Sequence, residues 1–145
     1  MSRIVSFRGQ LANEVQDTIH LHTTDGSTGY RIKTLNLISS LPATTTQETV
    51  VKIFKIDGKT IDATIDFSDN TLLAAGYFEG HSNSTTFGGT VIIFDNEIFN
   101  QDIFIMGFDG SGSAQPINYY IELEQMALDL NENTVATLKD IRNQA

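Results

Sequence analysis

Val50-Val51-Lys52-Ile53-Phe54-Lys55-Ile56-Asp57-Gly58-Lys59-Thr60-Ile61-Asp62-Ala63-Thr64-Ile65-Asp66-Phe67 carries the firmest local pattern in the sequence. In its second half Ile61, Ala63, Ile65 and Phe67 alternate with Asp62, Thr64 and Asp66. An extended chain with that pattern puts one row of side chains inside and the other in water. Asp57-Gly58 tolerates the positive φ angles of a tight turn, and the run before it is equally apolar. The stretch therefore predicts a β-hairpin of residues 50–56 with residues 61–67.

Outward from this hairpin the same period of two predicts strands over residues 3–7, 18–23, 30–38, 72–78, 90–94, 102–108 and 117–123. Turn chemistry separates them: Asp25-Gly26, Asp95-Asn96 and Asp109-Gly110-Ser111-Gly112 supply side chains that bond their own backbone, or glycines that accept left-handed geometry. The alternation slips from Ile32 to Leu35, which predicts a bulge. Short strands with a turn every dozen residues or so imply an all-β fold, an antiparallel β-sandwich, with the jelly roll as leading topology. The tail differs: Val135, Leu138 and Ile141 recur at three-residue spacing behind Asn131 or Asn133, which predicts a short helix over residues 132–143. At 145 residues the chain reads as one domain, 1–145, with residues 1–15 as an N-terminal arm.

Composition narrows the function classes. The absence of cysteine excludes disulfides, thiolate-bound zinc and a cysteine nucleophile. A net charge of -9 is the wrong sign for a nucleic-acid backbone, so no direct nucleic-acid partner is expected. No run approaches the roughly 20 apolar residues of a membrane span, and the first residues do not resemble a signal peptide. Neither a membrane nor a secretory route is expected, and synthesis is placed in a cytosol. The charge is unevenly spread: Arg3, Arg8, Arg31, Lys33, Lys52, Lys55 and Lys59 all precede Thr60, and no lysine or arginine follows until Lys139. Pairing of early with late strands would mix these charges in space; without it the surface would be dipolar.

Few residues carry the pattern of a reaction. His20 and His22 have metal-ligand spacing, because residues i and i+2 of a strand share a face. His81, Asp25 and Glu79 are the candidates for a third ligand. The pair resembles the histidine-x-histidine element of metal-binding cupins, but the glutamate and second motif of that family do not follow. Neither a nucleophile elbow nor a phosphate loop occurs, so no catalytic residue and no cofactor is assigned. Large apolar groups instead concentrate from Phe94 to Phe108, and Phe99, Ile103 and Ile105 are expected either in a central strand with cover on both faces or at a subunit interface.

Three segments of the C-terminal third, Asn100-Gln101-Asp102-Ile103, Asn118-Tyr119-Tyr120-Ile121-Glu122-Leu123-Glu124 and Ala136-Thr137-Leu138-Lys139-Asp140-Ile141-Arg142, resemble small virion structural proteins of marine tailed phages. The resemblance implies a non-enzymatic coat-associated protein, a capsid decoration or cement subunit, made in the host cytoplasm and located in the virion. It implies capsid or other virion proteins as partners, and a homo-oligomer, with a trimer the first expectation. The partner-binding residues expected on this reading are Arg3, Arg8, Phe99, Ile103 and Ile105. The alternative is a carbohydrate- or receptor-binding module of a head or tail fibre, with Tyr30, Tyr77 and the two long polar loops as contact groups. A cupin-like metal enzyme is third.

Overall fold

The computed structural model describes residues 3–21, 27–42, 44–81 and 87–128. Within them the chain forms eight strands: β1 Arg3–Leu11, β2 Val15–Ile19, β3 Thr28–Ser39, β4 Gln47–Phe54, β5 Leu72–Gly80, β6 Phe87–Ile93, β7 Ile103–Asp109 and β8 Ile117–Ala127. Every pairing is antiparallel. The strands make two sheets, ordered β1-β8-β3 and β2-β7-β4-β5-β6.

Alternation explains how the sheets meet. Leu11, Ile32, Ile121 and Leu123 of the smaller sheet and Val51, Ile53, Ile103 and Ile105 of the larger one share a single buried cluster. Their neighbours along each strand point to the two outer faces. The register of β3 against β8 shifts between Ile32 and Thr34, which is the bulge that the phase slip predicted. By inserting a residue it returns Leu35 to the core.

The hairpin read from residues 50–67 does not form. Gly58 takes the expected positive φ, 76°, yet no strand lies between β4 and β5. One reason is that β4 sits between β7 and β5, so both of its hydrogen-bonding edges are taken. The other is local: Asp62, Asp66 and Asp69 accept bonds from the N–H groups of Thr64, Ser68 and Thr71 at 3.0, 2.9 and 2.9 Å. Such bonds turn the backbone every few residues. The segment becomes a loop across the outer face of β4, where the Lys52 ammonium donates to the Thr64 carbonyl at 2.8 Å and the Asp62 carboxylate at 3.0 Å. Ile61 packs on Phe54, Leu72, Ala75 and Met106, whereas Phe67 stays 56% exposed with its ring edge-on to Phe94.

Two further expectations meet the structure differently. Residues 3–11, expected within an arm, are built into the sheet as β1, paired from Arg3 opposite Gln125 to Leu11 opposite Ile117. The cause is their own alternation, since Val5, Phe7 and Leu11 pack on the shared core. The helix expected over 132–143 lies outside the described residues. The charges do mix in space: Arg31 meets Glu124 at 2.6 Å, Lys52 meets Asp62 at 3.0 Å, Lys55 meets Glu97 at 3.4 Å and Lys59 meets Asp69 at 2.6 Å.

Candidate interaction surface

The outer face of the smaller sheet follows from strand register. Arg8 of β1, Tyr120 of β8 and Asn36 of β3 lie side by side in one row, and Gln10, Asn118 and Ile38 form the next. Toward the other end come Ser6, Glu122 and Thr34. Period two puts all nine on the side away from the core.

Hydrogen bonds hold the polar members of this face in place. The Tyr120 hydroxyl donates to Glu122 Oε2 at 2.7 Å, and the Thr34 hydroxyl donates to Glu122 Oε1 at 2.9 Å. These two bonds, in that order, hold the Glu122 carboxyl below its ordinary range. The same bond from Tyr120, then burial, pushes the phenol up. That bond ties the Tyr120 side chain to the residue two positions on along its own strand. Gln10 Nε2 donates to Asn118 Oδ1 at 3.2 Å. Between these groups runs a groove of about 430 Å³ lined by Arg8, Asn36, Ile38, Asn118 and Tyr120 among others. Ile38, which lines it, is 60% exposed, and Ile4, further along β1 opposite Glu124, is 54% exposed, large apolar side chains left in water on a folded chain.

Of the residues expected to bind partners, only Arg8 belongs to this face. Arg3 is also exposed on β1, but its odd position puts it on the side of Val5 and Phe7. Phe99, Ile103 and Ile105 are corrected: they are 1%, 0% and 0% exposed within the single chain and cannot reach a partner from there. Ile103 and Ile105 face the core from β7. The other face of β7 is covered by the loop after β4, through Met106. Phe99 exchanges both backbone hydrogen bonds with Tyr30, at 2.8 and 2.9 Å, and stacks on its ring. Tyr30 is thereby withdrawn as a contact group. Tyr77 is half-buried on the outer face of the larger sheet; burial first, then the charges of Glu79 and Glu48, push its hydroxyl up.

The metal candidates separate. His20 Nδ1 lies 3.0 Å from Asp102 Oδ2, and Asp102 also accepts the N–H of Leu21 at 2.9 Å. His22 and Asp25 lie outside the described residues. Glu79 and His81 do not join His20 but gather with Glu48, the one group of three ligand side chains found among the described residues. Sequence reasoning missed Tyr120, Asn36 and Glu48 as site residues. The alternation Asn118, Tyr120, Glu122, Glu124 did contain the signal of a polar, aromatic-bearing face; Asn36 and Glu48 reach their sites only through cross-strand register. No family model matches the chain, and no curated protein matches it in sequence.

Proposed function

We propose that the chain is a non-enzymatic structural protein of a phage virion, a decoration or cement subunit that works as a homo-oligomer through the outer face of its smaller sheet. The observation that carries this reading is the strand order. A jelly roll of eight strands interleaves its two sheets as 1-8-3-6 and 2-7-4-5, and this chain keeps that order except that β6 pairs with β5 in place of β3. We therefore read the sandwich as a jelly roll with its sixth strand transferred, a build common in capsid proteins and lectins. In addition, Asn118 to Glu124, one of the segments resembling virion proteins, lies on β8 at the centre of the smaller sheet. Weak contacts suffice for a cement protein, because an oligomer presents several to a repetitive shell at once.

The test is solution mass by light scattering for the wild-type chain and Ile38→Asp, followed by co-sedimentation of both with phage capsids. A trimer that Ile38→Asp turns into monomers, with loss of sedimentation, is the expected result. A wild-type chain that is monomeric at every concentration and does not sediment with capsids removes the proposal.

The groove favours a second reading, a glycan-binding module. A flat tyrosine ring offers a stacking surface for the apolar face of a sugar, and Asn36, Asn118 and Arg8 surround it with hydrogen-bonding groups. A glycan array in which one family of related sugars binds the wild type and not Tyr120→Ala would put this reading first.

A further inference from the structure

We propose that Glu48, Glu79 and His81 bind a divalent transition-metal ion, with zinc the ion whose preferences they fit. One ligand atom from each lies within 4.8 Å of the others. The arrangement follows from register. Glu48 of β4 and Glu79 of β5 are directly opposite each other, and His81, two residues beyond Glu79, falls on the same side of the chain. His81 Nε2 is 3.1 Å from Glu79 Oε1. Ligand atoms around a tetrahedral zinc are roughly 3.4 Å apart, given zinc–ligand bonds of about 2.1 Å. Small side-chain rotations therefore bring the three to an ion without moving the backbone.

Electrostatics make the pair of glutamates costly without a cation. Like charges directly opposite on neighbouring strands repel. Among the described residues Lys52, Lys55, Lys59 and Arg31 pair with other acids, and neither glutamate meets a lysine or arginine. The nearby imidazole reaches one oxygen of Glu79 and offsets charge only as the imidazolium, whereas a divalent ion satisfies both carboxylates and the neutral ring together. The frame is rigid: the Glu48 N–H donates to Asp109 at 3.1 Å and its carbonyl accepts from Gly110 N–H at 2.9 Å. On the far side of Glu79 the facing residue of β6 is Gly88, where an added Cβ would lie 3.6 Å from Glu79 Oε2. With only hydrogen there, the second oxygen stays accessible. An imidazole among the ligands selects zinc, nickel or copper over calcium, which takes oxygen. With three protein ligands, water completes the zinc shell.

The experiment is isothermal titration of the full chain with zinc chloride and, separately, calcium chloride, on wild type, Glu79→Gln, His81→Ala and His20→Ala. Thermal melts in chelator accompany each titration. The expected result is one zinc equivalent on the wild type, weakened at least tenfold in Glu79→Gln and His81→Ala, unchanged in His20→Ala, and no heat with calcium. In chelator Glu79→Gln should melt at least as high as the wild type, because it relieves the facing charges while remaining folded. Absence of zinc heat on the wild type overturns the site, as does binding that survives Glu79→Gln or disappears in His20→Ala.

Discussion

Asp109 shows how one side chain joins distant parts of the chain. It is 4% exposed at the end of β7, and its carboxylate accepts from the Glu48 N–H at 3.1 Å, the Ser111 N–H and hydroxyl at 3.0 and 2.7 Å, and the Gln115 N–H at 3.1 Å. Burial pushes this carboxyl up, but the bonds outweigh burial and hold it below the ordinary range. Asp109→Ala leaves three part-buried N–H groups and the Ser111 hydroxyl without this acceptor and should cost about 2 kcal/mol, read as a lower urea midpoint. Two adjacent glycines behave oppositely for reasons of contact alone. A Cβ on Gly89 would sit 2.8 Å from the Tyr77 carbonyl oxygen, whereas one on Gly88 meets only the end of Glu79. Gly89→Ala should destabilise by about 1–3 kcal/mol and Gly88→Ala by under about 0.5 kcal/mol, in the same unfolding assay.

The element that sequence reasoning placed wrongly, the loop between β4 and β5, depends on one lysine. Lys52 is 5% exposed on the outer face of β4, and its ammonium takes a carbonyl and a carboxylate from the loop much as a bound cation would. Lys52→Met removes those bonds while keeping the aliphatic stem. It should cost about 1–3 kcal/mol and speed amide exchange over residues 57–71, with the strands unaffected. Most of the other strands were legible because alternation and turn residues agree there; the exception is β2, expected over residues 18–23 and found over Val15–Ile19. Residues 61–67 carried the same alternation, but aspartates at 62, 66 and 69 bond their own backbone, and the neighbouring strand already had two partners. Period two reports which side chains want cover, not whether an edge is available to pair with. The same limit hid the candidate sites: Tyr120 was legible on its own strand, but its neighbours Arg8 and Asn36 come from β1 and β3. Ile103 to Met106 did need cover on both faces of their strand, but the chain supplies that cover itself, so Phe99, Ile103 and Ile105 are not left for a partner.

For the whole molecule, the depressed carboxylates predict how acid acts. Asp62 is held low by hydrogen bonds from Lys52 and Thr64, Asp66 by Ser68, and Glu122 by Tyr120 and Thr34. In Asp69 and Asp109 burial works the other way, and their hydrogen bonds prevail. As pH falls, the unfolded chain takes up protons at these groups before the folded chain does. Their contribution is therefore complete above about pH 5 and lost progressively below about pH 4, through the folded-state values. Urea midpoints measured from pH 7 to pH 3 should stay level and then drop; a midpoint that rises on acidification would contradict this account.

The strand order has a consequence in time. In the smaller sheet the central strand is β8, which comes after both of its neighbours, so β1 and β3 bond to nothing in their own sheet until residues 117–127 have been synthesised. On a ribosome adding about 5–20 residues per second, β3 waits about 4–16 s for its partner. During that interval two alternating strands carry unpaired backbone and exposed apolar faces. A nascent chain of this order is therefore most vulnerable to aggregation just before β8 is synthesised, and a stop codon anywhere ahead of β8 would remove the middle of a sheet rather than its edge.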